Sequence, residues 1–224
     1  MGHKSQTKYW NQHVISEEDR KLTSDKCYII GVLCGDGWIS TKKNNIQLEV
    51  KDGEFSEKFR FAVLCQYGKD GVIRETKRGT YAYQIKSVEI VDDLIYWMGS
   101  APVCESWKVP DCIFGAPRSS RAAFLSGLFD SDGTVGVKAR QVHAVDGICL
   151  EGLQSAGQLL TTLGIESRLY RLGVTKAGNA HYSLTVSRGR NIMRFVKRIV
   201  TSIPRKMDVL TTLCKFYMDR LSSR

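Results

Sequence analysis

The sequence predicts an α+β protein built from two pseudo-symmetric αββαββα halves with antiparallel sheets, and two observations carry that prediction. A ten-residue segment, Tyr-Ile-Ile-Gly-Val-Leu-Cys-Gly-Asp-Gly at 28–37, returns in altered form as Phe-Leu-Ser-Gly-Leu-Phe-Asp-Ser-Asp-Gly at 124–133, with Asp36 and Asp132 separated by 96 positions. Each copy is followed by the same succession of alternating and helical stretches.

Residues 1–21 are polar and read as an N-terminal extension. The first half spans 22–100 and opens on a helix capped by Thr23 or Ser24 and stopped at Gly37, a position expected to need positive φ. Ile46, Leu48 and Val50 alternate with Gln47 and Glu49, the pattern of a strand with one buried and one wet face. A helical stretch follows near 54–67, then a strand pair with Arg74, Thr76 and Arg78 on one face, then a helix near 88–98. Pro102, Pro110, Gly115 and Pro117 interrupt regular structure, which places a linker over 101–118. The second half, 119–224, repeats the plan: a cap at Ser119 or Ser120, a stop at Gly133, helices near 153–163 and 190–200, and a strand in which Tyr182, Leu184 and Val186 alternate with Ser183 and Thr185. The first hairpins differ in length, with 12 positions from Gly37 to Glu49 and 18 from Gly133 to Glu151. Two similar but unequal halves suit a partner with imperfect two-fold symmetry.

Composition narrows the partner. Thirty-three Lys and Arg against 23 Asp and Glu give a net charge of +10, which favours a polyanion such as nucleic acid. No apolar run is long enough to span a membrane, so no membrane partner is expected. Seven scattered cysteines without a CxxC pair argue against a disulfide framework. The opening residues do not read as a secretory leader, and an intracellular place is the expectation: the cytoplasm or nucleoid of a prokaryote, or an organelle. His3, His13, His143 and His181 lack zinc spacing and are assigned no chemistry, and no phosphate-loop motif suggests nucleotide hydrolysis.

On the motif helices, Gly31 and Gly35, like Gly127 and Ser131, are four apart and form a small-residue stripe on one face. Packing through these stripes would bring the two C-terminal ends together and with them Asp36 and Asp132. Two carboxylates at the negative ends of two helix dipoles repel each other unless cations neutralise them, and oxygen-only ligation suits Mg²⁺. A single Asp-Gly after an apolar run reads equally well as a plain helix stop; two matched copies do not.

The segment LSGLFDSDG at 125–133 resembles the signature of LAGLIDADG homing endonucleases, and IIGVLCGDG at 29–37 resembles a more divergent copy; the likeness covers the chain from about residue 22. It implies that the motif helices form the interface between the halves and that the antiparallel sheets form a DNA-binding saddle in a monomer. It further implies site-specific cleavage of both strands of a long, pseudo-palindromic target, leaving short 3′ overhangs, with Mg²⁺ (or Mn²⁺) held by Asp36 and Asp132 together with the adjoining Gly35 and Ser131. Lys108 and Lys206, 98 positions apart, are implied to lie beside the catalytic centre, the alternative being solvated surface lysines. Glu49 and Glu151, each ending a Leu-Glu pair, are placed on the polar face of the first hairpins as weaker candidates to orient water, or else as ordinary exposed strand acids. DNA contacts are expected from Lys42, Lys43, Gln47, Arg74, Thr76, Arg78, Lys86, Lys138, Arg140, Arg168 and Arg171, as a mixture of base and phosphate contacts. On the order of 6–10 phosphate contacts would lower affinity roughly 10³ to 10⁵-fold between 50 and 200 mM salt.

The first motif departs from the pattern at Cys34, where the second has Asp130, and unequal cleavage of the two strands is the expected consequence. A non-cleaving RNA maturase, with intron RNA as partner, or a DNA-binding regulator on the same fold is the rival reading, against which both catalytic aspartates stand. An intein is disfavoured because Met1 and Ser222-Ser223-Arg224 offer neither a splicing nucleophile nor a terminal asparagine; an intron-encoded or free-standing enzyme is expected instead.

Overall fold

The computed structural model describes residues 20–136 and 138–222; the expected N-terminal extension lies outside the described residues up to residue 19. Helix α1 (Ser24–Cys34) leads to strands β1 (Gly37–Ser40) and β2 (Asn45–Val50), helix α2 (Gly53–Tyr67), strands β3 (Val72–Glu75) and β4 (Tyr81–Lys86) and helix α3 (Val88–Met98). The short helix α4 (Asp111–Gly115) lies within the connecting segment. Helix α5 (Arg118–Asp132) opens the second half, followed by β5 (Thr134–Gly136), β6 (Gln141–Gly147), α6 (Leu150–Thr162), β7 (Arg168–Val174), β8 (Ala180–Val186), α7 (Gly189–Arg198) and α8 (Pro204–Ser222). The αββαββα order therefore occurs twice, and α8 is an addition that the sequence reading did not foresee.

Each half holds one four-stranded antiparallel sheet, ordered β1-β2-β4-β3 and β5-β6-β8-β7. The register sorts side chains by face: Ile46, Leu48 and Val50 pair with Ile85, Tyr83 and Tyr81, and these side chains turn toward the helices. Trp38, Gln47 and Gln84 share the other face, with Val72, Ala82 and Arg74 beside them. In the second sheet a bulge between His143 and Val145 inserts Ala144 and resets the alternation, so Val145 joins the core while Asp146 returns to the polar face opposite Ser183. Ser183 and Thr185 are buried despite lying on that face, because His143 covers them; the expected wet strand face is dry there.

The centre of the molecule is the pair α1 and α5. Ser24 and Ser120, at matching places in the repeat, touch through their hydroxyls at 3.2 Å. A Cβ on Gly31 would overlap the Phe124 carbonyl, and one on Gly127 would sit 2.8 Å from Val32 N and nearer still to Tyr28 O. Only glycine lets these backbones approach so closely. Thr23 caps α1 by accepting from Lys26 N at 3.1 Å. Helix α5, in contrast, starts after Pro117 with no side-chain cap, so neither Ser119 nor Ser120 has the expected role.

The stop glycines also differ from expectation. Gly35, not Gly37, terminates α1, and Gly133 follows α5 at φ −86°, so neither helix ends on positive φ. Space explains them instead: a Cβ on Gly37 would lie 2.9 Å from Val32 O, and one on Gly133 would strike the Phe129 ring and carbonyl.

Candidate active site and nucleic-acid interface

The abutting C-terminal ends of α1 and α5 place Asp36 and Asp132 side by side. A Cβ on Gly35 would stand 2.8 Å from Asp132 Oδ2 and 2.8 Å from Ser131 Oγ, so the Asp132 carboxylate reaches across the residue preceding Asp36. Burial pushes the Asp132 carboxyl up to about 7, with the negative charges of Asp36 and Asp146 adding to the shift and Lys206 opposing it. Asp36 is more open to solvent, yet desolvation still raises its carboxyl above the usual range, again against Lys206.

Lys206, in the first turn of α8, is buried, and its Nζ donates to the carbonyls of Phe129 (2.5 Å) and Asp130 (2.8 Å) in the last turn of α5. It satisfies carbonyls that a helix end leaves without partners. Burial pulls its ammonium down to about 8, while Asp130 and Asp36 hold it up. Asp130 fixes the segment that delivers this lysine: its buried carboxylate accepts from Tyr28, Lys58, Thr201 and Ser202, including the Ser202 amide. Cys34, its counterpart, is a buried thiol raised to about 12 by burial and by the charge of Asp132.

Lys108 is not in an equivalent setting. It is exposed, on an irregular segment held against the start of α6 by Trp107 N to Cys149 Sγ and by Val109 N to Ser155 Oγ. With Cys34, Trp107 and Glu151 it lines a cleft of about 220 Å³. Glu151 occupies the first turn of α6 and not a hairpin strand, which corrects its pairing with Glu49. The ladder gives the true counterparts. Trp38 pairs with Gln47 and Thr134 with His143, so His143 matches Gln47, and Asp146, one bulge residue later than simple counting allows, matches Glu49. His143 Nδ1 lies 2.8 Å from Ser183 Oγ and 3.9 Å from Asp146 Oδ1. Sequence reading missed both residues: with Glu151 outside the hairpin the expected difference in hairpin length disappears, the turns closing at Ser40–Asn45 and Gly136–Gln141, and the signal was the 96-residue offset itself, which leads from Gln47 to His143.

Of the expected DNA contacts, Gln47, Arg74, Lys86 and Arg168 lie on the polar faces of the two sheets and most of the others in the turns at their ends. Gln47, Arg74, Thr76 and Lys86 line a groove of about 750 Å³ with Glu49. Lys42 and Lys43 are exposed in the β1–β2 turn, and Lys138 and Arg140 in the β5–β6 turn. Two expectations change. Thr76 and Arg78 lie in the β3–β4 turn, leaving only Arg74 on the strand, and Arg171 pairs with core-packed Tyr182, opposite in face to Arg168.

The description "LAGLIDADG-like domain" matches residues 119–200, the second half of this architecture. The solved structure of I-DmoI in complex with DNA and Mn superposes with a TM-score of 0.58 at 17% identity, covering 80% of this chain and 97% of that one, both halves included. The second half thus matches the LAGLIDADG-like domain, and the two-half fold is the one that I-DmoI has. Full-length DUF199/WhiA from Thermatoga maritima shares the LAGLIDADG fold with a TM-score of 0.57 at 16% identity, over 90% of this chain and 66% of that one. Among curated sequences, the ribonucleoside-diphosphate reductase NrdEB subunit alpha of Bacillus subtilis is 31% identical over 65% of this chain. A probable translation initiation factor IF-2 of Thermococcus kodakarensis is 29% identical over 84%. The chain spans about 15% of the length of each of these two relatives, whose names denote unrelated activities, so the likeness is to one module within them. No helix among the described residues is long and apolar enough to cross a membrane, and all seven cysteines are free.

Proposed function

We propose that this protein is a divalent-metal-dependent, site-specific DNA endonuclease acting as a monomer on a long, imperfectly symmetric duplex target and leaving short 3′ overhangs. The observation that carries the reading is the meeting of Asp36 and Asp132 at two helix C-termini, where negative dipole ends, burial and mutual repulsion all call for a cation. The donor set fits a hard ion: Asp36 and Asp132 would hold it, with the backbone at Gly35 and Ser131 adjoining. Among the described residues no group of three or more His, Cys, Asp or Glu is arranged to hold a metal. Water and phosphate oxygens would therefore complete the shell, as Mg²⁺ prefers. When bound, such a cation supplies Lewis-acid activation of water and charge stabilisation at the phosphodiester.

The protein's own residues would do the rest. Lys206 spends two N–H donors on α5 carbonyls and keeps a third for negative charge developing on phosphate. His143 and Asp146 on one side, and Gln47 and Glu49 on the other, would orient water and bases over the groove floor. The test is digestion of a randomised duplex library with Mg²⁺, with sequencing of the cut ends, using wild type and the Asp36→Asn and Asp132→Asn variants. Specific double-strand cuts abolished in either variant support the reading. Salt-sensitive binding without cuts would assign the fold to DNA binding alone; no observation on the fold favours intron RNA.

A further inference from the structure

Helix α8 extends from the catalytic centre to the outer end of the second sheet. Lys206 sits in its first turn, and with a rise of about 1.5 Å per residue its 19 residues reach roughly 28 Å. At the far end, Tyr217 fills the space over Gly189 and donates to the Arg140 carbonyl at 3.3 Å, while the Arg140 guanidinium stacks on Phe216 with 3.9 Å to the ring centre. Arg140 belongs to the β5–β6 turn, so α8 is tied to the tip of the saddle.

Beside this junction α7 and α8 enclose a groove of about 720 Å³ lined by Arg190, Arg194, Lys197, Arg220, Tyr217 and Met193, with no carboxylate among its described lining residues. Arg190, Arg194 and Lys197 recur at helical spacing on the exposed side of α7, opposite the face that buries Ile192 and Phe195. Four cations around one aromatic ring, contiguous with a turn at the end of the sheet, complement a phosphate backbone.

We propose that the α7–α8 groove is a second phosphate-binding surface that grips the same duplex beyond the end of the target covered by the sheets. The inference rests on the DNA-binding reading above. It makes the grip one-sided, since the first half has no counterpart of α8 among its described elements.

The experiment measures affinity against salt for wild type and for Arg190→Ala/Lys197→Ala/Arg220→Ala. Arg194 is left intact because it also donates to the Gly164 carbonyl. Two duplexes are used: the bare target, and the target extended by about one helical turn, roughly 10 bp, past the second half. Wild type is expected to bind the extended duplex more tightly and with a steeper slope. The variant should lose that gain, its slope falling by about 0.9 per removed contact, roughly 2.7 in all. That corresponds to a roughly 40-fold smaller loss of affinity between 50 and 200 mM salt. Arg190→Lys/Lys197→Arg/Arg220→Lys should retain the slope, separating charge from folding. Equal slopes and equal flank gain in the alanine variant would overturn the groove while leaving the nuclease reading intact. Failure of wild type to bind either duplex would overturn both.

Discussion

Gly127→Ala tests whether glycine at the helix crossing is required for space. The new methyl would meet Tyr28 O, Val32 N and the Gly31 carbonyl carbon, all backbone atoms of α1, so no rotamer change can relieve the overlap. Overpacking of a tight core costs about 1–3 kcal/mol, and a purely backbone obstacle argues for the upper part of that range. Alanine returns about 1 kcal/mol of helix propensity over glycine. The net loss is about 1–2 kcal/mol, equivalent to a fall in Tm of roughly 2–8 °C for a chain of this size. Urea denaturation with EDTA present measures it without interference from metal. Gly31→Ala should behave alike, and the double variant should lose less than the two single losses together, since one displacement of the helices serves both. Gly115→Ala, whose Cβ meets nothing within 4 Å, is the control and should be neutral. A Gly127→Ala protein as stable as wild type would refute the close-packing argument and the placement of Asp36 beside Asp132 with it.

Four further outcomes follow from the geometry. The Asp132 carboxyl, near 7 when folded against about 3.9 unfolded, holds a proton in the folded state between those values. It therefore favours folding below pH 4 and loses that contribution as pH rises through 7; metal-free denaturation at pH 5 and pH 8 should show it, and Asp132→Asn should flatten it. Divalent cation must displace that proton, so calorimetry in buffers of different ionisation enthalpy at pH 6 should detect proton release that Asp132→Asn lacks. Lys206→Met should slow cleavage by roughly 10²–10³-fold with DNA affinity retained, whereas the exposed Lys108→Met should act through its own strand only, measured by strand-resolved nicking. The Lys26–Asp93 pair, 2.6 Å apart with side chains 1% and 0% exposed and supported by Tyr67, should cost about 3–5 kcal/mol when broken by Lys26→Met, by urea denaturation, and much less when Asp93→Leu removes the orphaned charge too.

The repeat made the architecture legible because every feature that depends on the helix crossing recurs at one offset: Ser24 with Ser120, Gly31 with Gly127, Asp36 with Asp132. What local pattern could not disclose was register. The acid that corresponds to Glu49 is Asp146 and not the apparent Leu-Glu match at Glu151: the offset of the repeat leads to Val145, and the single bulge residue Ala144 moves the match on by one. Period-two reading assumes an unbroken pleat, and a bulge is the event that breaks it. Helix α8 escaped because its apolar positions, Leu210 and Leu213 among them, cover the second half's core and continue no repeat. The stop glycines were found for a reason that does not apply: sequence marks where glycine stands, whereas the structure shows that crowding, not φ, requires it at Gly37 and Gly133.

Asymmetry between the halves follows from one substitution in the repeat. Where the second motif has Asp130, its buried carboxylate gathers hydroxyls, an amide and the Lys58 ammonium, fastening the 200–203 segment and setting Lys206 under the end of α5. Where the first motif has Cys34, a neutral thiol can gather no such set, and the corresponding segment is held instead through Trp107 and Val109 against α6, with Lys108 left in solvent. Both aspartates share one crossing, but the cation supporting them is buried and fixed on one side and open on the other. A fixed ammonium stabilises developing charge without reorganising, while a solvated one must first be ordered. Two strands cleaved by such a pair should part at different rates, with the strand served by Lys206 cut first and a nicked duplex accumulating between the steps; equal strand rates would show that Lys108 is ordered by the DNA itself.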